Sequence, residues 1–311
     1  MDSAASRTAQ STSSLHQISD LTVTVVICTR NRPGDLRKCL GAVAALTPAA
    51  DEVLVVDNSG GSEETARVAQ SFSVLYTVEP RPGLSRARNR GLDESTSDIV
   101  AYLDDDACPD KHWLGLLLEP FADQHVAAAT GKIITPDSEN CGGLQETPRV
   151  LNNKVPQWFE IATFGGLGLG SNMALRKAAC AGSIIFDERL GRGAPFQIAD
   201  EHFAFASLLS RGYTVVYLPT AIVYHPPLTR GTIEQETRNS IAYWLLLFAE
   251  FPHQRADLVQ FLWRRFRRKR LTWARETQEP GEIINSGWRV QLKAGLRALL
   301  LFLRTKRPKR R

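Results

Sequence analysis

Three aspartates in a row, Asp104-Asp105-Asp106, close the apolar run DIVAYLD at 98–104. Along a strand, residues i and i+2 point the same way, so Asp104 and Asp106 can face one ligand while Asp105 points elsewhere. Adjacent carboxylates repel one another, and a divalent cation is the usual means of keeping them ionised. Oxygen donors of this kind suit Mg2+ or Mn2+ bound together with substrate phosphates. A solvated acidic turn capping the next helix is the alternative reading. His225 ends another apolar run, AIVYH, and is a ligand candidate only if the aspartates hold a metal. Asp57 closes EVLVVD at 52–57; alone it reads as a turn residue, beside the triad as a ribose or base contact. Arg86, Arg88 and Arg90 crowd one short segment. Guanidinium forks pair bidentately with phosphate, although for Arg86 and Arg90 an exposed helix face is the expectation. Asp200-Glu201-His202 opens a helical pattern. A carboxylate there caps the helix, or acts as general base to a hydroxyl within reach.

For these groups to meet, one scaffold must bring them to one edge. TVTVVIC (22–28) is a continuous β-branched run, as a strand buried on both faces requires. EVLVVD (52–57), SVLYTV (73–78) and DIVAYLD (98–104) follow as further strands. Helical patterns lie between and after them, at 35–46 behind Pro33, at 62–72, at 84–95 and at 112–121. Strands alternating with helices predict an open, mostly parallel sheet covered on both faces. Ligands of such a sheet bind at the carboxyl ends of its strands, where Thr29, Asn31, Asp57 and the aspartates stand. The stretch 135–170 is rich in Gly, Pro and Asn and predicts long loops. A helix at 204–212 and two short strands, TVVYL (214–218) and AIVYH (221–225), come next, then helices at 232–250, 254–270 and 288–304.

Composition narrows the function. The 311 residues are 43% hydrophobic and 23% charged, ordinary for a globular chain. Residues 1–263 hold 22 Lys/Arg against 30 Asp/Glu, a net of −8, whereas residues 264–311 hold 16 against 3, a net of +13. An acidic body argues against a nucleic-acid-binding core. Cys28, Cys39, Cys108, Cys141 and Cys180 show no C-x-x-C spacing, which argues against zinc and disulfides and for a reducing cytosol. Residues 1–20 are polar, without an apolar h-region, and are expected to be a disordered lead-in. No apolar run approaches the roughly 18 residues that a membrane span needs. GGLGLGSN (165–172) looks like a dinucleotide loop but lacks the strand-to-helix context of one.

Taken in order over residues 22–228, five strings resemble a family. VVICTRNRP, EVLVVDNS, PGLSRARNRGL, AYLDDDACPD and GSNMALR are similar to segments of the inverting, GT-A-fold glycosyltransferases of family 2. They resemble, in turn, that family's opening strand, its nucleotide-contacting Asp, its A-R-N helix, its D-x-D strand, and the loop shaping its donor and acceptor pockets. The resemblance implies an α/β GT-A domain over 21–230, an open, mostly parallel sheet flanked by helices, and a basic helical extension over 231–311. It implies that Thr29, Asn31, Asp57 and Arg88 hold the nucleoside and its phosphate side, that Asp104 contacts the ribose, and that Asn172 belongs to the nucleotide-sugar pocket. Asp106 would bind Mn2+ or Mg2+, with His225 as a further ligand. The base would come from the pair Asp200-Glu201, where Ala199 stands in place of a common Gly; the second position carries it, so Glu201 is the choice and Asp200 the reserve. The implied reaction is single, inverting displacement of a nucleoside diphosphate by an acceptor hydroxyl.

The implied partners are a nucleoside-diphosphate sugar and a glycan or lipid-linked acceptor, without nucleic acid. WRRFRRKR (263–270) and RTKRPKRR (304–311) point to an anionic surface such as the inner leaflet, or else to a solvated charge run. The expected location is accordingly cytoplasmic, with the inner face of a membrane as the tail's site. A sugar nucleotidylyltransferase would open with a G-x-G-T-R turn, where this chain has Cys28-Thr29-Arg30-Asn31. A non-catalytic nucleotide-sugar-binding protein would not need Asp104, Asp106, Glu201 and His225 together.

Overall fold

A computed structural model of the chain describes residues 21–135, 146–227, 232–267 and 288–305. The expected lead-in at 1–20, Cys141, Trp273 and the basic residues 306–311 lie outside the described residues. Among the described residues nine strands form one sheet: β1 (Val23–Thr29), β2 (Glu52–Asp57), β3 (Leu75–Val78), β4 (Ile99–Asp104), β5 (Cys108–Pro109), β6 (Val126–Ile134), β7 (Arg149–Leu151), β8 (Asn172–Arg176) and β9 (Thr214–Tyr224). Their order is β3-β2-β1-β4-β8-β6-β9-β5, with β7 also paired to β9. The half from β3 to β4 is parallel, as the buried apolar runs predict. Beyond it the sheet is mixed: β8 runs antiparallel to both β4 and β6, β6 runs parallel to β9, and β5 and β7 pair antiparallel with β9.

β1 is buried along its whole length and divides its side chains between two cores. Val23, Val25 and Ile27 face α1 (Pro33–Val43), α2 (Glu63–Ser71) and α4 (Trp113–Leu118). Val26 and Cys28 face the other layer. That layer holds α3 (Leu84–Glu94), α5 (Trp158–Thr163), α7 (Asp200–Ser210) and α8 (Ile233–Glu250), with the short α6 (Lys177–Cys180) beside them. Local chemistry fixes the helix starts: Pro33 opens α1, the Ser62 hydroxyl accepts from Thr65 N at the head of α2, and Thr232 with Gln235 forms a reciprocal capping box on α8. Ala242, Tyr243, Leu246 and Leu247 of α8 lie in the same core as Phe203 and Phe205 of α7. α9 (Arg255–Arg267) and α10 (Trp288–Arg304) add Leu258 and Ala298 to it. The C-terminal extension is therefore built into the core on that face of the sheet. Cys28, Cys39, Cys108 and Cys180 are free thiols.

Register delivers the site. At the end of β1, Thr29 stands beside Asp57 of β2, and Cys28 beside Asp104 of β4. The β5–β9 pairing sets Cys108 opposite Tyr224, which carries His225 back to the aspartates.

One expected site residue also serves the fold. Asn172 begins β8, is fully buried, and donates to the carbonyls of Lys132 (2.9 Å) and Ala221 (2.8 Å) while accepting from Trp113 Nε1 (2.8 Å). The amide of this residue, expected in the donor pocket, joins β6, β8, β9 and α4. Gly131 makes this junction possible, because a Cβ there would lie 2.0 Å from the Ala221 carbonyl and 2.5 Å from the Asn172 amide. Asn172→Ala strands one buried donor and two carbonyls, and should cost roughly 3 kcal/mol in urea unfolding. An unchanged midpoint would remove Asn172 from this role.

Candidate active site

Asp104, Asp105 and Asp106 divide as strand alternation predicts. Asp105 turns inward and is fully buried. Its Oδ2 accepts from the Thr29 hydroxyl at 2.7 Å, and its Oδ1 lies 2.5 Å from Arg32 Nη2. Burial pushes its pKa up to about 6 against the opposing pull of Thr29 and Arg32. Thr29, expected on the nucleoside, thus has its hydroxyl turned toward Asp105. Arg32 carries no signal of its own in the sequence. It also binds Asp106 Oδ2 at 2.5 Å, so one guanidinium clamps two successive aspartates.

Asp104 and Asp106 face outward to His225. His225 Nε2 lies 3.5 Å from Asp104 Oδ2 and 3.1 Å from Asp106 Oδ1. Its Nδ1 lies 2.7 Å from the Pro226 carbonyl, an acceptor only, so Nδ1 carries a hydrogen. In the neutral ring, Nε2 then presents a lone pair to two carboxylates, and acceptors at this separation repel unless a cation stands among them. Without a metal, that cation is a proton. Burial lowers the His225 pKa, but Asp104 and Asp106 outweigh it and raise it to about 10. Burial likewise opposes ionisation of Asp106, yet His225 and Arg32 hold its pKa well below the carboxylate range. The three ligand atoms lie within 4.8 Å of one another. Two carboxylates and an imidazole tautomerised toward them fit Mn2+ or Mg2+.

Arg88 connects this cluster to the other half of the site. Its guanidinium is buried, with Nη1 2.5 Å from Asp200 Oδ2 and Nη2 3.5 Å from Asp104 Oδ1. Burial disfavours its charge, but Asp200, Asp104 and Glu201 raise its pKa above the ordinary arginine value. Arg88, expected on the phosphate side of the donor, is held here between two carboxylates. The space for it comes from Gly170, where a Cβ would lie 2.5 Å from both terminal nitrogens. Gly191 does the same for Asp200, with a Cβ 2.9 Å from its Cγ. Neither glycine declares this role in the sequence, since only the fold brings them near their partners. Arg86 and Arg90 lie away from the aspartates, Arg86 on Glu188 and Arg90 on Glu94.

Ala199 adopts a left-handed backbone, φ 60°, at the head of α7, a conformation that explains why Gly suits that position. Asp200 follows, buried and committed to Arg88; burial, with Glu201 beside it, pushes its pKa up to about 6. Glu201 keeps more exposure, 13% of its side chain against 5% for Asp200, and its nearest ring nitrogen is His202 Nδ1 at 3.9 Å. Asn31 is exposed at the sheet edge in the left-handed region, φ 57°. Asp57 is buried and shapes the turn after β2, accepting from the Ser59 hydroxyl and amide, the Ser62 amide and the Tyr76 hydroxyl. Burial raises its pKa, and these hydrogen bonds carry it below the usual value.

The sequence profile described as "Glycosyl transferase family 2" matches residues 24–178, and the chain belongs to that family. It is 29% identical over 233 residues to the succinoglycan biosynthesis protein ExoM of Rhizobium meliloti, covering 68% of this chain and 70% of ExoM. It is 37% identical over 100 residues to the glycosyltransferase AglE of Haloferax volcanii, a match spanning 30% of this chain and only 33% of AglE. Among solved structures, S. aureus TarS 1-349 in complex with UDP-GlcNAc superposes with a TM-score of 0.62 at 16% identity, over 91% of this chain and 82% of that one. The mannosyltransferase PcManGT of Pyrobaculum calidifontis, in complex with GDP-Man and Mn2+, gives 0.53 at 14% identity, over 95% and 96%. At these identities the structures show the fold, which is GT-A.

Arg88→Met leaves Asp200 buried without its cation and should destabilise the protein by about 3–5 kcal/mol. Gly170→Ala, which pushes the guanidinium aside, should lower stability in the same direction. Wild-type unfolding midpoints in both variants would show that the buried pair carries no such burden.

Proposed function

We propose that the chain transfers a sugar, with inversion, from a nucleoside-diphosphate sugar to a hydroxyl of a glycan or lipid-linked acceptor. One observation carries the proposal. The Asp104–Asp106–His225 cluster, suited to a divalent cation, is tied through a single buried guanidinium to Asp200, the neighbour of Glu201. A donor site and a base are thus held at a fixed spacing.

In this reading Asp104, Asp106 and His225 hold Mn2+ or Mg2+. When bound, the cation neutralises charge on the departing diphosphate. Asn31, exposed at the sheet edge, and the turn shaped by Asp57 flank the nucleoside. Glu201 takes the proton from the acceptor hydroxyl, which attacks the anomeric carbon as the bond to the diphosphate oxygen breaks on the opposite face. Asp200 is unsuited to that task because Arg88 occupies it at 2.5 Å; it orients α7 and keeps the neighbouring carboxylate in place. The UDP-GlcNAc and GDP-Man in the TarS and PcManGT complexes support a nucleotide-sugar donor as the class. Thermal-shift screening of UDP-, dTDP- and GDP-sugars, with and without Mn2+, tests class and donor together. A protein that no nucleotide sugar stabilises under either condition would refute the assignment.

Metal binding should release a proton, because His225, with its pKa raised to about 10, is protonated throughout the neutral range. Mn2+ affinity should therefore rise roughly tenfold per pH unit between pH 6 and 8. Calorimetry in buffers of different ionisation enthalpy should count about one proton per ion, and Asp106→Asn should abolish binding in a protein that still folds. An affinity independent of pH would contradict this ligand set. For the base, Glu201→Gln should lower kcat by at least about 100-fold while leaving donor Kd unchanged, since the base acts on the acceptor. Near-normal turnover in that variant, beside an inactive but folded Asp200→Asn protein, would move the base to Asp200.

A further inference from the structure

The last described helix has two unlike faces. Toward the protein, α10 sets Ala294 and Ala298, both fully buried, against α8, with Leu301 and Phe302 packed on the same core. Small residues let the helices approach closely: a Cβ on Gly295 would lie 3.8 Å from Ile241 Cδ1. On the far side stand Leu296, Leu299, Leu300 and Leu303, exposed by 56%, 43%, 52% and 69%. At about 3.6 residues per turn these four leucines fill an arc of roughly 100°, centred opposite the buried alanines. Lys293, Arg297 and Arg304 are exposed along one edge of that arc, Arg297 being paired with Glu234 of α8. One turn apart on α9, Val259 and Trp263 are exposed as well, immediately before the run RRFRRKR at 264–270.

A contiguous exposed apolar stripe on a soluble domain marks a docking surface. Charge chooses its occupant. Residues 264–311 hold 16 Lys/Arg against 3 Asp/Glu, whereas residues 1–263 are net negative. An apolar stripe edged by cations fits the acyl boundary and headgroups of an anionic leaflet. Two copies joined stripe to stripe would instead bring like charges together. Among the described residues no helix is long and apolar enough to cross a membrane. We propose that α10 lies in the plane of an anionic lipid surface, with its four leucines in the acyl boundary and Lys293 and Arg304 on the headgroups.

The test is partition of the full chain onto phosphatidylcholine vesicles with and without phosphatidylserine, at low and high salt. The protein should bind only the anionic vesicles and release in high salt, where exposed charges are screened. Leu299→Ser with Leu303→Ser should weaken partition by at least about tenfold, and Lys293→Gln with Arg304→Gln by a similar factor. All four positions are exposed, so thermal melts should match wild type and exclude misfolding as the cause. Equal partition onto neutral and anionic vesicles, or partition untouched by both double substitutions, overturns the proposal. So does a lipid-free dimer, seen by analytical ultracentrifugation, that the leucine variant loses; that result assigns the face to a second copy. Partition is read without donor or acceptor, so its failure is separate from any failure of the transfer reading.

Discussion

A guanidinium out of reach of water, Arg88 between Asp104 and Asp200, is the interaction on which the rest of the site depends. A buried charge persists only where its partners surround it with good geometry. Those partners come from β4 and from the first turn of α7, elements far apart in the chain. Around them the fold removes side chains: Gly170 leaves room for the guanidinium and Gly191 for the Asp200 carboxylate. Arg88 is itself fixed at both ends, its carbonyl accepting from the Tyr102 hydroxyl at 3.0 Å and its guanidinium lying 5.7 Å from the Phe186 ring. The spacing between the carboxylates facing His225 and the one proposed as base is therefore set by a rigid ion pair.

The same economy governs the β4 end. Five carboxylates, Asp104, Asp105, Asp106, Asp200 and Glu201, meet two guanidinium groups, Arg32 and Arg88, and two imidazoles, His202 and His225. Arg32 and Thr29 make Asp105 tolerable in the interior, which anchors the turn and holds Asp104 and Asp106 facing outward. What remains is a region short of positive charge, with His225 protonated to relieve it. A site so arranged accepts a dication readily, because the incoming charge replaces a proton that the protein had to recruit.

Much of this was legible in the sequence, for physical reasons. Buried parallel strands need continuous β-branched runs, so β1, β2 and β4 declare themselves, and the period of α8 and α10 gives their bounds closely. Strand alternation by itself separates Asp105 from its neighbours. β6 is hidden because VAAATGKII is made of small residues, as its junction with Asn172 and Ala221 demands. The single strand β9 reads as two because Pro219 falls at a shift in its register with β6, where a missing N–H can be tolerated. Side-chain contacts are not legible where the partner is distant in sequence: Arg88 lies 112 residues from Asp200, and Asn172 lies 59 from Trp113. A family string marks such residues as important without saying whether they touch substrate or hold those that do.

The C-terminal helices extend the argument from the site to the surface. Tyr243 of α8 is buried, and burial together with Glu201 and Asp200 raises its pKa well above the phenolic value, which places α8 directly behind the head of α7. Phe251, closing α8, packs edge-on against Phe203 of α7 at 5.4 Å, and Glu250 joins the buried Arg189–Asp187 pair. α10 packs on α8, with its leucines outermost. Among the described residues, packing runs from the head of α7 through α8 to α10. Any surface that takes up those leucines therefore also fixes the direction in which the sheet edge faces. In the proposed reading, a lipid-linked acceptor would meet a site already oriented by α10.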